Sequence, residues 1–156
     1  EAGPVVKEGS AVERDPDLEL AKRQVEEGLG TVALACGGRL LGRARGSGLL
    51  PLVELLESLG WRPHPGGPGA VGPGMAHGES PFWPAAPALA DRVVGKAAAL
   101  LAAHAGVRAV WGQVVSTSAR ETLEEWGVHV ETEQTVPFVG GRQPGEMCPM
   151  ERLVAW

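Results

Sequence analysis

The stretch from Val107 to Val115 constrains the fold more than any other part of the chain. It is rich in valine, carries Trp111 and lacks the strict polar–apolar alternation of a half-exposed strand, so it reads as a central strand buried on both faces. Such a strand needs partners on either side and cover above and below, which points to an α/β sheet with helices packed on it. The flanking sequence provides them. Leu89 to Ala105 is rich in Ala and Leu and closed by Gly106, which predicts a helix. Ser118 and Glu121 form an S-x-x-E capping box that predicts a further helix through Trp126, stopped by Gly127. Val128 to Val136 alternates apolar with polar residues, the pattern of a strand with one face in water.

Upstream, Asp15-Pro16-Asp17 predicts a helix start ahead of Leu18, Ala21, Val25 and Leu29, with Gly28 and Gly30 ending it. Thr31 to Cys36 and Arg39 to Arg45 read as a hairpin turning at Gly37-Gly38. Leu49 to Leu59 reads as a short helix with Pro51 in its first turn. From Trp61 to Pro87 there are seven prolines and six glycines, a composition that predicts a long loop, either a lid or an insertion. A Gly/Pro-rich loop from Pro137 to Met147 leads to a final helical turn at Cys148. The predicted architecture is a three-layer α/β/α domain with a mixed sheet of about four to five strands. Residues 1–15 read as a flexible amino-terminal segment and 16–156 as a single domain carrying the insertion at 61–87.

Composition narrows the function classes. Fourteen Lys and Arg against nineteen Asp and Glu leave a net charge of -5, which argues against nucleic acid and anionic membranes as partners. No apolar stretch reaches the roughly 20 residues of a bilayer span, and the start lacks a signal-peptide pattern, so a cytoplasmic location is expected. Cys36 and Cys148 are too few for a disulfide framework and have no zinc-type spacing, so both read as free thiols. The chain opens on Glu1 rather than Met, as a trimmed or longer protein would.

Ala90-Asp91-Arg92-Val93-Val94-Gly95-Lys96-Ala97-Ala98-Ala99, the stretch Val107 to Ser116, and Cys148-Pro149-Met150-Glu151 together resemble an uncharacterised domain-of-unknown-function family whose fold is similar to cytidine deaminase. The resemblance spans roughly residues 17 to 154 apart from the long loop. It implies a cytidine-deaminase-like fold, and it also implies an absence. Zinc deaminases open one helix with H-x-E or C-x-E and the next with P-C-x-x-C, because three N or S ligands must hold the metal while a Glu moves protons. The openings expected here, Ala90-Asp91-Arg92 and Ser116-Thr117-Ser118-Ala119, carry no such set, and His64, His77, His104 and His129 are scattered. No metal and no cofactor are expected.

Several residues could carry chemistry, each with a plainer alternative. Lys96 falls on the edge of a helical apolar stripe marked by Val93, Ala97, Leu100 and Leu101, where it either snorkels to the surface or points into a pocket to hold an anion. Asp91, expected at the start of the same helix, either caps it or joins the pocket. Gly95 between them, in an expected helix interior, points to close packing or close ligand approach. Ser116 and Thr117 end the central strand at the crevice where open α/β sheets bind ligands, and backbone N–H groups there suit a phosphate. Arg142, in a glycine-rich loop, either folds over an anion or is solvated. Cys148 before Pro149 sits at an expected helix N-terminus, which favours thiolate, with Glu151 opposing part of that effect. It is either a reactive nucleophile or a structural thiol. Trp111 and Cys36 read as core, Trp61 and Trp83 as interface candidates.

Three function classes follow. The leading one is a zinc-free deaminase-like domain that binds a small anionic, nucleotide-derived ligand through Asp91, Gly95, Lys96, Ser116, Arg142, Cys148 and Glu151. The second is a transferase or hydrolase with Cys148 as nucleophile and Asp91 and Lys96 in support. The third is a non-catalytic interaction or regulatory module using the Trp-bearing loop. Self-association into a homo-oligomer is compatible with all three.

Overall fold

A computed structural model describes residues 14–61, 83 and 85–139. Helix α1 (Pro16–Glu26) begins where expected: Asp15 is its N-cap, its carboxylate accepting from the Asp17 and Leu18 N–H groups at 3.0 and 3.3 Å, with Pro16 at the first position. Strands β1 (Val32–Cys36) and β2 (Arg39–Ala44) form the expected hairpin. Gly37 and Gly38 both take positive φ, 64° and 79°, which is the two-residue turn that matches strand twist and that glycine adopts without strain. Helix α2 (Leu50–Ser58) follows with Pro51 in its first turn.

The next element departs from expectation. Ala88–Val94 is a strand, β3, and helix α3 is confined to Lys96–Ala105. Alanine favours helix in isolation, yet Ala88 and Ala90 lie beside Ala33 and Ala35 of β1, and this flat strip of small side chains lets Leu18, Ala21 and Val25 of α1 pack closely on the sheet. Tertiary packing overrides the local propensity. Gly95, extended at φ -96° and ψ -179°, separates strand from helix. Strand β4 (Ala109–Ser116), helix α4 (Thr117–Glu125) and strand β5 (His129–Val136) complete the described chain.

The result is an α/β fold with a five-stranded mixed sheet in the order β2-β1-β3-β4-β5. Strand β1 is antiparallel to both of its neighbours, while β3, β4 and β5 run parallel. Alternate strand residues point to opposite faces, and two cores result. Val32, Leu34, Leu89, Val110 and Val115 meet α2, α3 and α4 on one face, and the alanines with Trp111 meet α1 on the other. Trp111 is in the core as expected, with the Lys22 ammonium 5.5 Å from its ring centroid. Trp61 and Trp83, expected at an interface, are instead buried in the three-helix core, where the Trp83 indole N–H donates to the Ala105 carbonyl. Among the described residues no helix is long and apolar enough to cross a membrane.

One ion cluster ties the elements together at the sheet end where β3 and β4 begin. The Arg108 guanidinium bonds both Asp15 oxygens and, at 2.9 Å, Asp17. The Asp17 carboxylate in turn accepts from Gly37 N–H at 2.9 Å and Gly38 N–H at 2.7 Å. Burial alone would raise the Asp15 pKa, but the Arg108 hydrogen bond and charge and the N–H groups of Leu18 and Asp17 hold it below its ordinary value. Arg108→Ala is therefore expected to cost about 1–3 kcal/mol at neutral pH, since it leaves Asp17 nearly buried without its cation. Because the depressed Asp15 pKa contributes stability that is lost as pH falls, urea midpoints of wild type and variant should converge under acid conditions.

Candidate functional site at the carboxyl ends of the parallel strands

At the opposite end of the sheet the parallel strands finish side by side. Val94 pairs with Val115, so Gly95 and Ser116, which open α3 and α4, come next in register. Ser116 is fully buried and is the N-cap of α4, its Oγ accepting from Ala119 N–H at 3.1 Å and lying 3.3 Å from Ser118 Oγ. The cap falls two residues before the expected Ser118, because the strand runs directly into the helix and Ser116 is the last extended residue (φ -74°, ψ 156°). Ser116 thus spends its hydroxyl on the helix rather than presenting it to a ligand.

Helix α3 begins without a side-chain cap. Its N-cap is Gly95, which is thus not in a helix interior as expected. Lys96 is its first residue, half-buried, not a mid-helix residue on an apolar stripe. A cation at the positive end of the helix dipole is disfavoured by roughly 0.3–1 kcal/mol, so position 96 is not explained by helix stability.

Asp91 is the largest departure. It does not start a helix; it lies within β3, paired with Val32 on one side and Gly112 on the other. Two residues beyond Leu89, it shares the three-helix face. The residue is 8% exposed, and no described side chain pairs with its carboxyl. Burial pushes its pKa up to about 8, with the backbone N–H groups of Arg92 and Val93 and the Arg92 charge pulling only part of the way back.

The strands change phase next to it. Val93 is 40% exposed whereas Val94 is buried in the three-helix core, and Val115 is buried there too, three residues beyond Gly112. The β3–β4 register is unchanged across this step, so both strands turn together. Gly112 makes this fit: a Cβ there would stand 2.5 Å from a Val115 methyl and 2.9 Å from a Val94 methyl. The isolated glycine after Trp111 is the sequence signal for such a close approach. Leu29, Leu50 and Val93 add a second feature to this end. These are the exposed large apolar residues of the described chain, and they fall before β1, at the start of α2 and near the end of β3, all at this same end of the sheet.

Asp91, Gly95, Lys96 and Ser116 therefore gather at one end of two adjacent strands, as a ligand site would require. Arg142, Cys148 and Glu151 lie outside the described residues, as do His64, His77, the segment 1–13, most of the 61–87 loop and the turn expected at Cys148. His104 stacks on Trp126 with ring centroids 4.9 Å apart, and His129 bonds Glu131 at 3.0 Å. Cys36, expected in the core, is half-buried at the end of β1, its Sγ donating to the Ala85 carbonyl at 3.3 Å. Among the described residues no three His, Cys, Asp or Glu side chains come together as a metal ion would require.

Residues 85–155 match a family model described as TM1506, a domain of unknown function (DUF1893). The crystal structure of a DUF1893 family protein (TM1506) from Thermotoga maritima is similar over 92% of this chain and 82% of that one, with 24% sequence identity and a TM-score of 0.67. The two share a fold. No curated protein matches. The chain thus resembles an uncharacterised family over the part that contains Asp91, Gly95, Lys96 and Ser116.

The raised Asp91 pKa carries a sign. The folded protein keeps a proton that the unfolded chain releases near its ordinary value of 3.8, so this stabilising contribution is full below that pH and is lost as pH rises toward about 8. Asp91→Asn is expected to flatten this slope, and above pH 8 to unfold at higher urea than wild type. Parallel urea-midpoint curves for the two proteins across this range would contradict the burial of the Asp91 carboxyl.

Proposed function

We propose that this chain is a cytidine-deaminase-like domain that works without the zinc site of that fold and binds a small anionic, nucleotide-derived ligand at the carboxyl ends of β3 and β4. The observation that carries the proposal is Asp91, a carboxyl nine-tenths buried and without a described side-chain partner, at the sheet end where α3 starts uncapped. A group that lowers stability in its own fold is retained where function needs it. Three further features support the same place. The parallel strands of an α/β sheet bind ligands beyond their carboxyl ends. The uncapped α3 N-terminus and the Lys96 ammonium suit an anionic group. Leu29, Leu50 and Val93 provide apolar surface at the same end for a planar ring. An opening hairpin followed by alternating helices and strands, with β1 reversed against its neighbours, suits the deaminase-like fold.

The test is calorimetric titration of the full chain with the 5′-monophosphates of adenosine, cytidine, guanosine and uridine. At least one should bind with 1:1 stoichiometry, and Lys96→Glu should weaken it about tenfold or more, with urea unfolding of the variant as the check on folding. Absence of binding by all four at millimolar concentration would contradict the proposal, and stoichiometric zinc in the purified protein would contradict its zinc-free part.

A further inference from the structure

The two edges of the sheet carry opposite charge. Strand β2 is one edge and β5 the other. Residues 37–53, which contain β2, hold three arginines and no acid, whereas residues 121–139, which contain β5, hold five glutamates and no Lys or Arg. The register sets these charges against each other. Arg43 pairs with Ala33, Ala33 with Ala90, Ala90 with Trp111 and Trp111 with Glu131, so Arg43 and Glu131 stand at the two ends of one row across the sheet. Partners in such a row share a face, and it is the face on which α1 lies. Arg43 Nη1 donates to the Gln24 side chain of α1 at 2.8 Å, and Trp111 is in the core beneath α1. Arg45 and Glu133, each two residues further on, repeat the arrangement about 7 Å along the strands. Arg43, Arg45 and Glu133 are exposed and Glu131 is half-buried.

Strand direction agrees with this placement. Strand β2 is antiparallel to β1 and β1 is antiparallel to β3, so β2 runs in the same direction as β3, β4 and β5. A second copy moved sideways across the sheet, without being turned over, sets its β2 beside the β5 of the first. The strand direction and the upward face then match, and Arg43 stands opposite Glu131.

We propose that the β2 edge is an interaction surface for the β5 edge of a second copy of this chain, with Arg43 and Arg45 meeting Glu131 and Glu133. Each copy presents one edge of each sign, so the contact is head-to-tail. Side chains hold it rather than the hydrogen bonds of an added strand, because both edges are shielded against backbone pairing. Strand β2 carries a register shift opposite Leu34 and Ala35, and on β5 the Thr132 hydroxyl donates to Gln134 O at 2.9 Å and accepts from Gln134 N–H at 3.1 Å. The net charge of -5 opposes approach in other orientations. Exposed ion pairs are individually weak and are screened by salt, so the association is reversible and salt-sensitive. The contact is lateral and does not rest on the ligand proposed at the carboxyl ends of β3 and β4.

The test is sedimentation equilibrium of the full chain at millimolar protein, in low salt and in about 0.5 M salt, where the Debye length is only a few ångströms. Wild type should self-associate in low salt, with a dissociation constant at least about tenfold larger in high salt. Arg43→Glu and Glu131→Arg, each checked for folding by urea unfolding, should each associate about tenfold more weakly than wild type when alone, because like charges then face each other. An equimolar mixture of the two should recover association, since the reversed edge of one variant faces the reversed edge of the other. A variant that had merely lost its fold would not be rescued in this way. Wild type that stays monomeric in low salt, association that ignores salt, or a mixture that associates no better than the separate variants overturns the proposal.

Discussion

Arg108 is the residue through which the described elements are held in one arrangement. Its guanidinium joins Asp15 and Asp17 at the start of α1, and Asp17 closes onto the Gly37-Gly38 turn of the hairpin. Its backbone does as much: the Arg108 N–H donates to Pro87 O at 3.0 Å just before β3, and its carbonyl accepts from His129 N–H at 3.1 Å at the start of β5. The starts of all three parallel strands and the head of α1 therefore converge on Arg108, and the β1–β2 turn joins them through Asp17. Charge-assisted, multiply bonded groups of this kind fix geometry as well as adding stability.

With one end of the sheet closed in this way, the other end stands in contrast, although Ser116 there caps α4. At the Arg108 end buried charges are paired and hydrogen-bonded. At the carboxyl ends of β3 and β4, a buried carboxyl has no described side-chain partner, a helix begins uncapped, and apolar side chains stand in water. A fold that satisfies its polar groups at one end could in principle do so at the other. That contrast separates the part of the molecule that holds the fold from the part available for binding, and it motivates assigning the ligand site to the second.

Much of this fold was legible in the sequence, and the failures share a cause. Helix α1, the hairpin, α2, β4, α4 and β5 each carry a local signal: a cap, a Gly-Gly turn, a stop glycine or a period. Strand β3 does not, because Ala88-Leu89-Ala90 has helix propensity and becomes a strand only by lying against the alanines of β1 beneath α1. That mistake displaced Asp91, Gly95 and Lys96 onto a helix they do not share, although their membership of one site survived it. Ser118 has the better capping motif, yet Ser116 holds the cap because the strand's hydrogen-bonding register ends there. Trp61 and Trp83 flank the proline-rich stretch and looked like surface residues; burial in the three-helix core is a tertiary fact. The Arg108–Asp17 pair, 91 residues apart in sequence, had no local signature at all.

The account turns on the protonation state of one side chain, and that can be measured directly. Carbon-13 labelling of the aspartates, with Asp91 assigned by comparison with Asp91→Asn, allows its carboxyl resonance to be followed from pH 3 to pH 10 in the ligand-free protein. The account predicts a single titration near pH 8, with the protonated shift throughout the acid and neutral range. A midpoint near the ordinary 3.8 would show an ionised, solvated or paired carboxylate, and would contradict the burial of Asp91 on which the proposed site rests.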